Sequence, residues 1–130
     1  MIRREGRHLT IVSYAAAAHT SLEAAEVLAK EGIEAEVIDL RTLLPLDRDA
    51  ILNSLKKTNK LLVVHEDTQT GGIAGEIAAI VCESGFDYLD GPIARVTALD
   101  TPVPYSPPLE AEFLPSVEKV AAAARELAQY

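Results

Sequence analysis

The chain has 130 residues, a formal net charge of −8 and a hydrophobic fraction of 48%. This length accommodates one hydrophobic core, and we predict that residues 1–130 form a single domain. The acidic balance argues against nucleic acid and anionic membranes as partners, because both repel a negatively charged surface. No apolar run approaches the length of a membrane span.

Cys82 is the one cysteine of the sequence, so an internal disulfide is excluded. This favours a reducing compartment, and the N-terminal segment lacks the apolar stretch of a signal peptide. We expect a cytoplasmic protein, or one of the mitochondrial matrix if the source is eukaryotic. Cys82 lies in an apolar helical pattern and is predicted to be buried. Met1 directly precedes the first predicted strand, which favours a fragment or a short reading frame.

Apolar, β-branched segments alternate with segments of helical spacing along the chain. The predicted strands are Leu9–Tyr14, Ala35–Leu40, Lys60–His65 and Ile93–Ala98, and Ile2–Arg4 before Gly6 allows a short edge strand. Helical patterns follow Thr20, Asp47 and Gly72, and a fourth runs from Ser116 to Gln129. This alternation predicts an α/β fold in which a mostly parallel sheet is covered by helices on both faces.

Local signals predict where the helices begin. Thr20 and Glu23 have the spacing of a capping box, so Ala15 to His19 is predicted to be a loop. Asp47 is placed to cap the second helix. Six of the seven prolines fall between Pro92 and Pro115, which predicts an extended segment over the surface that carries function.

The stretch from Lys60 to Gly72, KLLVVHEDTQTGG, gathers polar side chains at the end of a buried strand. The carboxyl edge of a parallel sheet is where ligands and partner surfaces usually lie. Thr70, Gly71 and Gly72 open a helix and could present free backbone N–H groups to an anion. In the alternative interpretation, the glycines permit a tight turn and close packing.

The three histidines lead to different expectations. His65 with Glu66 could form an acid–base pair. The favoured alternative for His65 is a hydrogen-bonded structural histidine at an interface. His19 is expected to neighbour a helix start, and His8 is expected to be solvated.

Motifs for several other chemistries are missing. The second predicted strand is followed by Tyr14-Ala15-Ala16-Ala17-Ala18-His19, not by the glycine pattern of a dinucleotide site. Walker-type loops, metal-ligand spacings and G-x-S-x-G elbows are also missing.

Asp39 and Arg41 are expected to form a local salt bridge. Asp100 begins a proline-rich loop that suits either a partner surface or closure of the fold.

Five motifs follow one another in order: EVIDLRTL-x-PLD (Glu36–Asp47), VHE (Val64–Glu66), TGG (Thr70–Gly72), DTPVPY (Asp100–Tyr105) and FLPSV (Phe113–Val117). Together they resemble the C-terminal domain of the transketolase superfamily, most closely in the beta subunit of thiamine diphosphate-dependent 2-oxo acid dehydrogenases. The resemblance covers essentially all 130 residues. It implies a three-layer α/β/α sandwich with a five-stranded sheet, whose first strand, here Ile2–Glu5, is a short antiparallel edge strand.

In that family, thiamine diphosphate and Mg²⁺ bind between two other domains. The resemblance therefore implies no cofactor, metal site or catalytic residue in this chain, and no activity of the chain alone. It implies assembly with an alpha subunit and a second beta subunit. It also implies docking of the basic subunit-binding domain of the acyltransferase core, by analogy at Asp90, Asp100 and Tyr130. Surface left without companion domains would be apolar, so a homo-oligomer is also expected.

The leading hypothesis is a non-catalytic assembly and partner-binding domain of the dehydrogenase beta subunit. One alternative is the equivalent domain of a transketolase or deoxyxylulose-phosphate synthase, against which the PVPY and FLP motifs argue. Others are an independent small anion-binding α/β domain and an enzyme that uses His65 and Glu66. The family commonly has glycine where this chain has Ala15, which bears on the shape of the loop from Ala15 to His19.

Overall fold

The structure is a computed structural model that describes residues 1–41, 46–99 and 114–130. Its elements are β1 (Ile2–Arg4), β2 (Leu9–Ser13), α1 (Ala16–Ala29), β3 (Ala35–Asp39), α2 (Arg48–Thr58), β4 (Leu61–Thr68), α3 (Ile73–Ser84), a 3-10 helix (Phe86–Tyr88), β5 (Ala94–Ala98) and α4 (Val117–Ala128). The predictions for Pro45, for Asp100 and for most of the proline-rich segment fall outside the described residues.

One sheet with the strand order β1-β3-β2-β4-β5 organises these elements. β2 pairs in parallel with β3 and β4, and β4 pairs in parallel with β5. β1 is an antiparallel edge strand, with Ile2 opposite Ile38 of β3. The predicted mostly parallel five-stranded sheet and its antiparallel first strand are therefore confirmed.

Helices cover both faces of the sheet and enclose two hydrophobic clusters. α1 and α4 pack on one face, and α2 and α3 pack on the other. β4 contributes to both, since Leu62 and Val64 face the first pair of helices while Leu61 and Val63 face the second. The continuous apolar pattern of β4 thus reflects burial on both faces, and the three-layer α/β/α arrangement is confirmed.

α1 begins earlier than the sequence predicted. It starts at Ala16, so Ala15 to His19 is not a loop, and Thr20 lies inside the helix. The Thr20 hydroxyl donates to the Ala16 carbonyl at 3.5 Å instead of capping the helix. The predicted capping box is wrong because alanine is the strongest helix former, and the alanine run extends the helix back toward β2.

Side chains cap two other helices, one of them at the predicted residue, Asp47. Asp47 Oδ1 accepts a hydrogen bond from the Ala50 N–H at 3.1 Å, at the start of α2. Ser116 Oγ accepts one from the Lys119 N–H at 3.2 Å, at the start of α4. Each bond satisfies a backbone donor that the helix itself leaves free.

Cys82 is exposed on α3, so the prediction that it is buried is wrong. The residues of α3 that face the sheet are Ala74, Ile77 and Val81. Cys82 follows Val81 by one position, a rotation of about 100° that moves its side chain off the buried stripe.

Two polar side chains near the edge strand have partners that the sequence did not reveal. Asp39 pairs with Arg3, with Nη1 and Oδ2 3.2 Å apart, and not with Arg41 as expected. His8 is not simply solvated, because its Nδ1 accepts a hydrogen bond from the Glu34 N–H at 2.8 Å. The first contact arises because β1 lies antiparallel beside β3, and the second because His8 and Glu34 directly precede the parallel pair Leu9 and Ala35; local spacing predicts neither.

A buried polar network connects β3 to α2. Glu36 is 1% exposed and accepts hydrogen bonds from the Ser54 hydroxyl at 2.6 Å, from the Lys57 ammonium group, and from the Gly6 N–H at 3.2 Å. Thr10 Oγ1 extends the network, 2.6 Å from Ser54 Oγ. Burial would raise the pKa of Glu36, but the bonds from Lys57, Ser54 and Gly6 outweigh it and lower that pKa.

Lys57→Met should reduce the free energy of unfolding at pH 7 by about 2 kcal/mol, because it leaves a buried carboxylate short of a charged donor. A carboxylate with a lowered folded pKa stabilises the fold above its unfolded pKa of about 4.3, and this contribution is lost as the pH falls through the folded pKa. The variant should begin to lose stability at a higher pH, as measured by urea unfolding across pH 4–7.

Lys56→Met is the matched control, since Lys56 is an exposed neighbour on α2 with its ammonium 5.6 Å from the centroid of the Tyr88 ring. We expect it to cost no more than about 0.5 kcal/mol. Equal losses in the two variants would contradict the role given to the Glu36 network.

Ala15 joins β2 to α1 with φ 54° and ψ −137°, a backbone conformation that glycine adopts far more readily than alanine. Ala15→Gly should therefore raise the free energy of unfolding by about 1 kcal/mol, because relief of strain exceeds the entropy cost of glycine. Ala122→Gly, at an exposed position within α4, should lower it by about 1 kcal/mol. Chemical denaturation measures the free energy of unfolding of both variants. A lower value for Ala15→Gly than for the wild type would contradict the backbone strain that we assign to Ala15.

Candidate functional site

The carboxyl edge of the sheet holds the charged corner that the sequence indicated. β4 continues through this corner to Thr68, three residues beyond the predicted end at His65. Pairing with β5 is irregular after Val64 and resumes where Thr68 lies opposite Ala98. Such irregularities re-aim side chains at strand ends, and here the strand remains extended although its residues are polar.

His65 and Glu66 do not form the acid–base pair proposed from the sequence. His65 is completely buried, whereas Glu66 is exposed. Successive residues of a strand face opposite sides, so the backbone itself separates the two side chains. The favoured alternative, a hydrogen-bonded structural histidine, agrees with this geometry.

The His65 imidazole has one bonded nitrogen and one without a partner. Nδ1 lies 3.1 Å from the carbonyl oxygen of Asp67, and because a carbonyl only accepts, we assign the proton to Nδ1. Nε2 is buried without a hydrogen-bond partner among the described residues. Burial lowers the pKa of His65 despite the opposing effects of the Asp67 carbonyl and carboxylate, so the ring is neutral near pH 7.

Gly72 packs directly against this ring. A Cβ on Gly72 would lie 2.7 Å from His65 Cε1, 2.8 Å from Nε2 and 2.4 Å from the carbonyl oxygen of Thr68. No larger residue fits without a shift of the backbone. Gly71 has φ +77°, a turn conformation that favours glycine. Both observations support the close-packing interpretation of the two glycines.

Carboxylates lie close in sequence to the start of α3, where an anion site was proposed. Gly72 provides no side-chain cap, and the first turn of the helix carries Glu76. Glu66 and Asp67, at the end of β4, are exposed, and they raise the pKa of Tyr14 in addition to the larger effect of burial. The Thr70 carbonyl already accepts the Thr68 hydroxyl at 2.9 Å. This electrostatic environment opposes an anion.

A broad open depression of about 850 Å³ lies at the same edge, beside the start of α1. His19, Tyr14, Asp39 and Arg41 are among its lining residues. His19 is exposed in the first turns of α1, which agrees with its expected place near a helix start. The depression combines cationic and aromatic side chains, which suits contact with another protein surface.

Two of the partner-binding candidates meet at the opposite, amino edge of the strands. Tyr130 is 62% exposed and packs on Gly91, where a Cβ would lie 3.1 Å from Tyr130 Cβ. Asp90 precedes Gly91, is exposed, and donates its backbone N–H to the Asn59 carbonyl at 2.8 Å. Asp100 falls outside the described residues. No pattern in the sequence indicated that Gly91 packs against Tyr130 and so places Asp90 near it.

The described residues contain neither a metal-ligand cluster nor a helix that could span a membrane. Across residues 1–41, 46–99 and 114–130, no group of three or more His, Cys, Asp or Glu side chains is placed to hold a metal ion. In the same ranges, the helices are all too short or too polar to cross a membrane.

The family model described as "Transketolase, C-terminal domain" matches residues 1–120. The subunit beta of acetoin:2,6-dichlorophenolindophenol oxidoreductase from Bacillus subtilis is 49% identical over 97% of this chain. The mitochondrial pyruvate dehydrogenase E1 component subunit beta of Dictyostelium discoideum is 47% identical over 98%, and 2-oxoisovalerate dehydrogenase subunit beta of B. subtilis is 46% identical over 99%. The chain spans 37%, 36% and 40% of these three relatives.

Solved structures agree with this match. A split gene transketolase, solved as an inactive beta4 tetramer, superposes with a TM-score of 0.86 and 26% identity over 99% of this chain and 41% of that chain. A transketolase from Pichia stipitis superposes with a TM-score of 0.67 and 17% identity, over 98% of this chain and 17% of that chain, which shows the shared fold alone. The chain belongs to the transketolase C-terminal domain family.

Proposed function

We propose that this chain is the C-terminal assembly and partner-binding domain of the beta subunit of a thiamine diphosphate-dependent 2-oxo acid dehydrogenase. The main support is that three relatives named as oxidoreductase or dehydrogenase beta subunits are 46–49% identical over nearly the whole chain. The chain spans 36–40% of their lengths, so catalysis falls to the rest of the enzyme. The compartment we propose is the cytoplasm, or the mitochondrial matrix in a eukaryote.

The start of α3 is poorly suited to the diphosphate of thiamine diphosphate. A diphosphate needs cationic or backbone donors, yet Glu66 and Asp67 shortly precede α3 and Glu76 lies in its first turn, all three exposed. Among the described residues, no group of three or more His, Cys, Asp or Glu side chains is placed to hold a metal ion. We therefore assign cofactor binding to parts of the full enzyme outside this chain.

The alternative functions have less support. The transketolases are 26% and 17% identical to this chain, far below the dehydrogenase beta subunits. The carboxylates at the carboxyl edge oppose an independent anion-binding domain. Burial of His65 away from Glu66 removes the pair that a stand-alone enzyme would use.

Asp90 and Tyr130 form the surface on which we place the acyltransferase subunit-binding domain. An exposed aromatic ring beside a carboxylate can anchor a basic partner through burial and charge together. The formal charge of −8 would speed the encounter by long-range attraction. The open depression beside His19 and Arg41, at the other edge, is left for the alpha subunit, the second beta subunit or a second copy of this chain.

Isothermal titration of the chain with a purified basic subunit-binding domain tests this docking surface. We expect Asp90→Asn and Tyr130→Ala each to weaken binding at least tenfold, about 1.4 kcal/mol, because each removes one of the two anchors. Glu23→Gln, which removes one exposed carboxylate from α1, should change the Kd less than twofold. Raising the salt concentration should weaken binding further, since the attraction is partly electrostatic.

Isothermal titration also tests the proposal that the cofactor binds outside this chain. A titration with thiamine diphosphate and Mg²⁺ should release no heat of binding. Heat with the cofactor would contradict the assignment of its site to other parts of the enzyme. If Asp90→Asn and Tyr130→Ala both bound the subunit-binding domain with the Kd of the wild type, the docking surface would not include these residues.

A further inference from the structure

The His65 ring fills the space beneath the turn from Thr68 to Gly72. It is completely buried, with Gly72 packed against Cε1 and Nε2. The turn itself is held by short-range bonds, from the Thr68 N–H to Asp67 Oδ1 at 2.8 Å and from the Thr68 hydroxyl to the Thr70 carbonyl at 2.9 Å. Thr68 also pairs with Ala98 of β5, beyond the irregularity that follows Val64, so opening of the turn would cost this end pair and leave the regular pairing up to Val64 intact.

A protonated imidazole needs two hydrogen-bond acceptors, and this pocket supplies one. Nδ1 already donates to the Asp67 carbonyl at 3.1 Å. A proton on Nε2 would point toward the backbone of Gly72, and the described residues offer Nε2 no partner. A buried charge with an unpaired donor is strongly unfavourable, so the closed turn excludes the proton.

The groups around the ring also favour a neutral imidazole when the turn is closed and a protonated imidazole when it is open. Tyr14, which directly follows β2, lies with its ring centroid 6.3 Å away, and its raised pKa keeps it neutral. From β5, the positive charge of Arg95 disfavours protonation of His65. Glu66 and Asp67 on the strand itself, and Glu76 on α3, are exposed, so a released imidazolium can meet carboxylates and water.

We propose that His65 is an acid-sensitive wedge: gain of a proton at Nε2 releases the ring, opens the turn from Thr68 to Gly72 and frees the start of α3. A histidine whose pKa is lowered in the closed state favours that state above its ordinary pKa of about 6.5. The preference is lost as the pH falls below that value. Acidification thus reshapes the carboxyl edge, and this inference stands without the proposed function.

Amide hydrogen exchange of the whole chain, followed by mass spectrometry from pH 7.5 to 5.0 and corrected for intrinsic rates, tests the wedge. We expect protection across residues 67–75 to fall at least tenfold over this range, while β2 stays protected. In His65→Gln, which retains a donor for the Asp67 carbonyl but cannot titrate, protection should be independent of pH. His19→Gln, at an exposed histidine, should behave like the wild type.

A measurement on the wild-type protein keeps the test independent of variants that fold poorly. Imidazole NMR should show His65 titrating below the ordinary histidine pKa of about 6.5, in the same pH range in which exchange of residues 67–75 accelerates. A His65 that titrates while protection is unchanged would overturn the wedge. So would an equal loss of protection in His65→Gln.

Discussion

Both hydrophobic clusters depend on the parallel pairing of β2 with β4. Thr10 to Ser13 lie opposite Leu61 to Val64 without a break, and all eight residues are buried. Alternate side chains enter opposite clusters, so a slip of one residue would exchange the two faces of the core. This register carries the end of β4, with His65, to the carboxyl edge beside Tyr14, and it fixes the start of β4 at the amino edge.

The two edges of the sheet differ in how their polar side chains are packed and exposed. At the carboxyl edge, His65 and Gly72 are buried and packed together, while Glu66, Asp67 and Glu76 are exposed. At the amino edge, Asp90 and Tyr130 are both exposed, and Tyr130 packs on Gly91, the residue after Asp90. Of these two edges, the amino edge is the one where the proposed partner would meet exposed side chains.

The sequence predicted what depends on periodicity and missed what depends on topology. Burial on both sides gives β4 its unbroken apolar run, so the strand and its neighbours could be located. The network around Glu36 could not, because Gly6, Ser54 and Lys57 come from distant parts of the chain and a glutamate in a strand suggests a solvent-facing side. Likewise, the alternation of side chains along a strand would have placed His65 and Glu66 on opposite faces. This was missed because the polar residues after Val64 suggested that the strand had ended.

The most direct test of an assembly role is complementation in trans. The chain would be mixed with an alpha subunit and with the part of a relative's beta subunit that this chain does not span, and oxidation of a 2-oxo acid would be followed together with the mass of the complex. We predict no turnover by the chain alone, and turnover with one stable complex after mixing. Turnover by the isolated chain, or no association with the other parts, would contradict the assembly role.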